Sequence, residues 1–305
     1  MTDRIVESKN LAWHHISNVS DADIEILQTQ YKFHSLDYED VLSDAPLSKL
    51  DIYKHYLFLI FHIPTINEQN GHVYGKAFFV FLSHGVLVTL SHKPHKAIDT
   101  FYERLQNSPK FSASVMGKGV GYLLYRILSE GFKDSMNIVK ELANEVYRLE
   151  ETIEHRYEKK ITVQLGHARR NALFLRHIVD PQRNILTTLS NTKRTFLEEE
   201  QNIYFDDLHD VLDTISLTSD NLKHIVDGLF DINETLISHK TNEVITLLTI
   251  VSSALMVPTL ISGFYGMNVD WLPYAFNPKF VSSLFVIGIL GIFAIIFVVL
   301  RRPED

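Results

Sequence analysis

Two long apolar runs near the C-terminus constrain this chain more than anything else in it. Neither Val244–Ser262 nor Val281–Leu300 contains a single Asp, Glu, Lys or Arg. Each is about 20 residues, so as a helix each reaches about 30 Å, the thickness of a bilayer's hydrocarbon core. One such run could be a buried core helix; two adjacent ones read as membrane spans. The connection between them, roughly Asn268 to Lys279, holds one acid, Asp270, and one base, Lys279. Lys240 precedes the first run, and Arg301 and Arg302 follow the second. This basic excess predicts a multi-pass cell (inner) membrane protein with both termini in the cytoplasm and the short loop outside. Trp271, Tyr274 and Phe276 fit an aromatic belt at the outer face. The N-terminus shows no apolar h-region, so no signal peptide is expected and the preceding domain should stay in the cytoplasm.

The chain has 305 residues and a net charge of −8. That balance argues against a nucleic-acid partner, which would ask for a basic patch. It suits a protein that handles cations. The absence of cysteine excludes disulfides and thiolate metal sites. Before the spans, two patterns alternate. Tyr56–Ile63, Ala77–Leu82 and Val86–Ser91 are short apolar runs that read as strands, the last two separated by a hairpin-like break at Ser83-His84-Gly85. With helical patterns over residues 21–50, they predict a small α/β domain. From about Val120 to His239 the pattern is helical, with interruptions expected at Gly166, at Asp180-Pro181 and near Asn191.

Leu208, Ile215, Leu222, Leu229 and Leu236 recur every seven residues, and Val211, Thr218, Ile225 and Ile232 fill the intermediate positions. That is a heptad seam, serving either a coiled coil or packing within one subunit. Nothing breaks the helical pattern between this seam and the first span, so one helix of roughly 90 Å is expected from about Tyr204 to Gly266. The organisation is therefore 1–119 cytoplasmic α/β domain, 120–203 long cytoplasmic helices, 204–240 stalk, 241–266 first span, 267–279 external loop, 280–300 second span and 301–305 tail.

Asn242, Ile245, Thr249, Ser252, Met256, Thr259 and Gly263 alternate by three and four, so they share one face of the first span. Such a face can pack against another helix, where small residues are favoured. It can also line a pore, with Ile245, Leu248 and Met256 as apolar constrictions. The span ends Gly263-Phe264-Tyr265-Gly266-Met267-Asn268. Here the sequence resembles the CorA family of magnesium channels, whose signature is Gly-Met-Asn after a Tyr at the outer end of the first of two C-terminal spans. Upstream, the stretch His34 to Leu42, Lys49-Leu50 with Tyr56-Leu57-Phe58, Tyr122-Leu123-Leu124-Tyr125 and Tyr204-Phe205-Asp206-Asp207 resemble further family landmarks.

The resemblance implies an α+β membrane protein that assembles as a homopentamer in the lipid bilayer. Its α/β domain and long helices would form a cytoplasmic funnel, and its stalk helix would continue into a pore-lining span. It turns the stripe into pore lining and makes Gly266, Met267 and Asn268 the selectivity filter. Magnesium sheds its water reluctantly, so a ring of Asn268 amides would accept hydrogen bonds from the hydrated ion's shell. Asp270 would concentrate cations at the mouth. The resemblance also implies a cytoplasmic sensor, where Asp40 and Asp207, with Glu39 adjacent, would hold regulatory Mg2+ between subunits and stabilise the closed state. Three departures are a Ser at position 129 (beside Glu130) where the family often adds a sensor acid, Thr246 in place of a base, and a thin basic cluster of Arg301-Arg302.

Mg2+ is thus the expected ion, transported and regulatory, with Co2+ or Ni2+ as further candidates. A zinc carrier on the same fold is disfavoured because none of the 15 histidines lies on the stripe. A two-span signalling or scaffold protein would need neither the stripe nor Asn268. No nucleophile elbow, metalloprotease helix or phosphate loop is present, so no enzyme is expected. Gly117-Lys118-Gly119-Val120-Gly121 lacks phosphate-loop spacing and reads as a loop.

Overall fold

The computed structural model describes residues 5–8, 10–43, 47–155, 159–194, 196–197, 201–269 and 277–300. The chain divides into two compact units that meet between Asp231 and Ile232.

The first unit is built on a six-stranded mixed sheet. Its strands are β1 (Ile5–Ser8), β2 (Leu11–Ser17), β3 (Lys49–Ile52), β4 (Tyr56–Ile66), β5 (Val73–Ser83) and β6 (Val86–Ser91), in spatial order β1-β2-β6-β5-β4-β3. All neighbours are antiparallel except β2 and β6. The three apolar runs expected to be strands are β4, β5 and β6. The expected break lies at His84-Gly85, where Gly85 has φ +72° and a Cβ would sit 2.8 Å from the Asn10 carbonyl oxygen. Only glycine fits there.

The continuous apolar character of β4 follows from burial on both faces. Phe58 and Ile60 join Phe79, Phe81, Val88 and Leu90 under α1 (Asp21–Gln30) and α2 (Ser35–Leu42). Alternate residues Leu57, Leu59 and Phe61 are also fully buried. They face α5 (Val120–His155) and α6 (Lys159–Ser190), with Phe61 edge-on to Phe132 of α5, and α3 (Lys96–Asn107) packs in turn against α5. The helix α4 (Pro109–Met116) precedes α5, and of the glycine-rich stretch expected as a loop only Gly117, Lys118 and Gly119 form the turn, while Val120 and Gly121 already belong to α5.

Two expected interruptions are not interruptions. Gly166 and Asp180-Pro181 both lie inside α6. Pro181 removes one backbone bond, but side chains brace that turn. Arg176 and Arg183 pair with Asp180, and the Ser216 hydroxyl donates to it at 2.6 Å. A break does occur after Ser190, as expected near Asn191.

The helix α7 runs unbroken from Asn202 to Tyr265, so stalk and first span are one element. Its first thirty residues corrected the heptad reading in part. Leu208, Ile215, Leu222 and Leu229 are buried within the chain, so this seam serves packing inside one subunit. The intermediate buried positions are Leu212, Ser219, Val226 and Asn233, one residue later than expected. Val211, Thr218 and Ile225 are only half-buried and Ile232 is exposed. Beside the seam runs an ionic ladder between antiparallel α6 and α7: Arg169 to Asp227, Arg176 to Asp220 and Arg183 to Asp213, each rung seven residues from the next.

The second unit holds the rest of α7 and α8 (Pro278–Leu300). The apolar stretch of α7 is long enough to cross a membrane, and none of it is buried inside the chain. The helix α8 is apolar along its length.

Candidate ion pathway and regulatory site

The apolar part of α7 has two faces. Between residues 250 and 265 the half-buried positions are Ile250, Ala254, Val257, Pro258, Ile261 and Tyr265. This is the face that meets α8, since Gly288 lies so close to Val257 that a Cβ on it would fall 2.5 Å from Cγ1 and 3.8 Å from Ile261 Cδ1. At 100° per residue, the stripe of Ile245, Thr249, Ser252, Met256, Thr259 and Gly263 is centred about 170° away from that face. All of its members are exposed in the chain, as are Asn242 and Leu248. Thr249 and Thr259 donate their hydroxyl hydrogens to the carbonyls of Ile245 and Leu255, at 2.8 and 2.7 Å. Each hydroxyl oxygen is therefore left as an acceptor on the stripe. That polarity suits the outward-pointing hydrogens of a cation's water shell.

Gly266 terminates α7. Its N–H donates to the Ser262 carbonyl at 2.8 Å, and a Cβ at Gly266 would stand 2.8 Å from that same oxygen. The Met267 N–H reaches the Phe264 carbonyl at 3.4 Å. Asn268 follows on the exposed turn just beyond the helix. Asp270, Trp271, Tyr274 and Phe276, and also Arg301 and Arg302, lie outside the described residues.

The structure gives the two expected sensor acids separate neighbours within the chain. Asp207, exposed near the start of α7, accepts the Tyr125 hydroxyl of α5 at 3.1 Å, inside a cluster of Tyr122, Tyr125 and Tyr204. Burial and this contact push the Tyr125 hydroxyl above the usual tyrosine range. Glu39 is exposed on α2. Asp40, near the end of α2, is bonded at 2.6 Å by the Lys49 ammonium, which also reaches Asp51 at 2.5 Å.

Sequence reasoning missed what surrounds that pair. Asp37, Asp40 and Asp51 bring carboxylate oxygens within 4.8 Å of one another, the one acidic group of this kind among the described residues. Asp37 is buried and accepts the Tyr53 and Tyr56 hydroxyls at 2.8 and 2.6 Å. Burial raises its pKa, against the pull of both hydroxyls. The signal was present in the sequence as five acids, Asp37, Glu39, Asp40, Asp44 and Asp51, and one lysine, Lys49, within fifteen residues. Only the folding of β3 alongside β4, next to α2, brings Asp37, Asp40, Asp51 and Lys49 together.

Comparison with known proteins bears on the whole chain. A family profile described as CorA-like Mg2+ transporter protein matches residues 8–302. The cobalt/magnesium transport protein CorA of Thermotoga maritima is 26% identical over 98% of this chain and 84% of its own length. A putative metal ion transporter of Bacillus subtilis is 27% identical over 88% of this chain and 82% of its own. Among solved structures, the complete CorA magnesium transporter of Methanocaldococcus jannaschii superposes with a TM-score of 0.81 at 22% identity, covering 95% of this chain and 91% of that one.

Proposed function

Because this chain belongs to the CorA-like Mg2+ transporter family, we propose that it is one subunit of a homopentameric membrane channel that admits Mg2+ and is closed by Mg2+ on the cytoplasmic side. The observation that carries this reading is the orientation of the stripe. A helix-packing face would be covered by α8, yet α8 lies on the opposite side of α7 and leaves the Ser/Thr/Asn face open. Polar hydroxyls facing acyl chains are costly, so this face belongs on water around an axis.

In that arrangement five Asn268 amides crown the outer ends of the α7 helices. Neutral amide oxygens accept hydrogen bonds from the six waters of an intact Mg2+ and need not strip them. Gly266 and Met267 hold the turn that presents Asn268, and Asp270 enriches cations at the entrance. Below, Thr259, Ser252, Thr249 and Asn242 receive the hydrated ion. Met256, Leu248 and Ile245 form apolar rings that close by dewetting. With both termini in the cytoplasm, entry runs down the membrane potential and gains about 4.6 kcal/mol per 100 mV for a divalent ion, twice the value for one charge.

Regulatory Mg2+ would be held by Asp40 of one subunit and Asp207 of the next. Carboxylate oxygens suit this hard cation, and the two acids have different neighbours inside a single chain, so the pairing falls between subunits. Loss of the ion would leave opposed carboxylates that repel, opening the interface. The Thermotoga maritima relative is named for cobalt and magnesium, which supports Co2+ as a second cargo; Ni2+ is the next candidate.

Flux of Mg2+, Co2+, Ni2+ and Zn2+ into proteoliposomes tests the reading. Mg2+ flux should be lowered at least tenfold by Asn268→Ala with no loss of assembly. Undiminished flux in that variant would remove Asn268 from the filter, and a parent protein that carries no divalent ion at all would point to the two-span scaffold protein.

A further inference from the structure

The basic residue at the heart of the acidic cluster has no part in the mechanism above. Lys49 opens β3 and lies in register with Ile60 of β4, with its ammonium 5.5 Å from the centre of the Phe58 ring. From there it bonds Asp40 and Asp51 together, and Asp37 completes the group from the buried side. Three carboxylates that close repel strongly unless a cation stands among them. One stands between two of them: the lysine ammonium bridges Asp40 and Asp51. Burial works against its charge, but the hydrogen bonds to Asp40 and Asp51 outweigh this and hold it above the usual lysine range.

The geometry points to Lys49 as a tethered cation that competes with cytoplasmic divalent ions for Asp40 and so sets the concentration at which the channel closes. This rests on the assignment of Asp40 to the sensor. A carboxylate oxygen bonded to an ammonium at 2.6 Å presents less negative charge to an ion arriving from a neighbouring subunit. To coordinate fully, the ion must draw Asp40 off Lys49, leaving Lys49 on Asp51. The free energy of breaking that pair is subtracted from metal binding, which places the closing threshold above the intrinsic affinity of the carboxylates. Asp37, fixed by its two tyrosines, acts as a positioning residue that keeps the negative field centred on Lys49.

The test uses full-length protein in proteoliposomes, with internal Mg2+ varied and flux recorded. Lys49→Met should lower the half-inhibiting Mg2+ concentration about tenfold, a coupling of ordinary size between two ligands of one site. Lys49→Arg, which keeps the charge, should stay near the parent. In an Asp40→Asn background, Lys49→Met should add nothing, because it acts through Asp40. An unchanged or raised threshold in Lys49→Met overturns the proposal, as does an equal shift in the Asp40→Asn background. If Asp40→Asn itself leaves Mg2+ inhibition intact, the sensor assignment fails first, and the competition with it. A second readout covers variants without flux. Mg2+ should raise the unfolding midpoint of purified Lys49→Met more than that of the parent, and an equal or smaller rise counts against the idea.

Discussion

Gly288→Ala should destabilise the membrane part of the chain, while Gly291→Ala, one turn along the same helix, should not. The added methyl at 288 would lie 2.5 Å from Val257 Cγ1, against an ordinary carbon–carbon contact near 3.5–4 Å. The two helices must therefore part by about 1 Å, or Val257 must leave its rotamer, which is restricted by β-branching. Overpacking of this kind costs about 1–3 kcal/mol. At Gly291 nothing lies within 4 Å of the equivalent methyl. The assay is heat-induced loss of the monodisperse protein in detergent, read by size-exclusion chromatography. Val257→Ala should restore Gly288→Ala, with a coupling of about 0.5–3 kcal/mol in the double-mutant cycle. If both glycine variants behave alike, or Val257→Ala fails to rescue, then α8 does not lie on that face. The inference that the Ser/Thr stripe is open would then fall as well.

Two further outcomes follow from the first unit. His95 is buried, and burial lowers its pKa from 6.5 to about 4. The folded form thus binds fewer protons than the unfolded one, so stability is complete above pH 6.5 and falls as pH drops toward 4, by about 3 kcal/mol in all; a pH series of urea midpoints should show the decline, and His95→Gln should flatten it. Leu212→Ala should cost about 2–5 kcal/mol, and Val211→Ala less than about 1, because only the former side chain is fully buried; equal losses in urea unfolding would restore the uncorrected heptad.

The membrane part was legible because its signals are local. An uncharged run of the right length, a 3–4 alternation of polar residues and a terminal Gly-Met-Asn need no tertiary knowledge. β4, β5 and β6 were legible for the same reason, since burial on both faces leaves an unbroken apolar run. β2 was not, because its sequence Leu11–Ser17 carries two histidines, and His15 is buried only through hydrogen bonds to Thr89 and Asp99, which are distant in sequence. The break expected at Pro181 failed because side chains from two helices brace α6 there; the one at Gly166 failed because a lone glycine weakens a helix by only about 1 kcal/mol and does not end it. In the stalk, every seventh leucine identified the packed side. The flanking position depended on which neighbour the helix meets, so Leu212 and Val211 could not be ranked by pattern. Lys49 stood in the sequence only as part of a family landmark; its ion pairs exist only once β3 and α2 are adjacent.

The ladder joining α6 to α7 has a consequence for how the stalk finds its place. Its rungs repeat every seven residues on both helices, so a slide of one heptad, about 10 Å, would re-form two of them, Arg169 with Asp220 and Arg176 with Asp213. Evenly spaced charges thus tell the helices how to lie but not where to stop. That information resides in an off-period contact, the Ser216 hydroxyl on Asp180, because the slide would bring His209 to Asp180 instead. It would also carry polar Ser219 into the slot that Val226 fills. A single hydroxyl and one small buried side chain therefore act as the detent that indexes a sixty-four-residue helix.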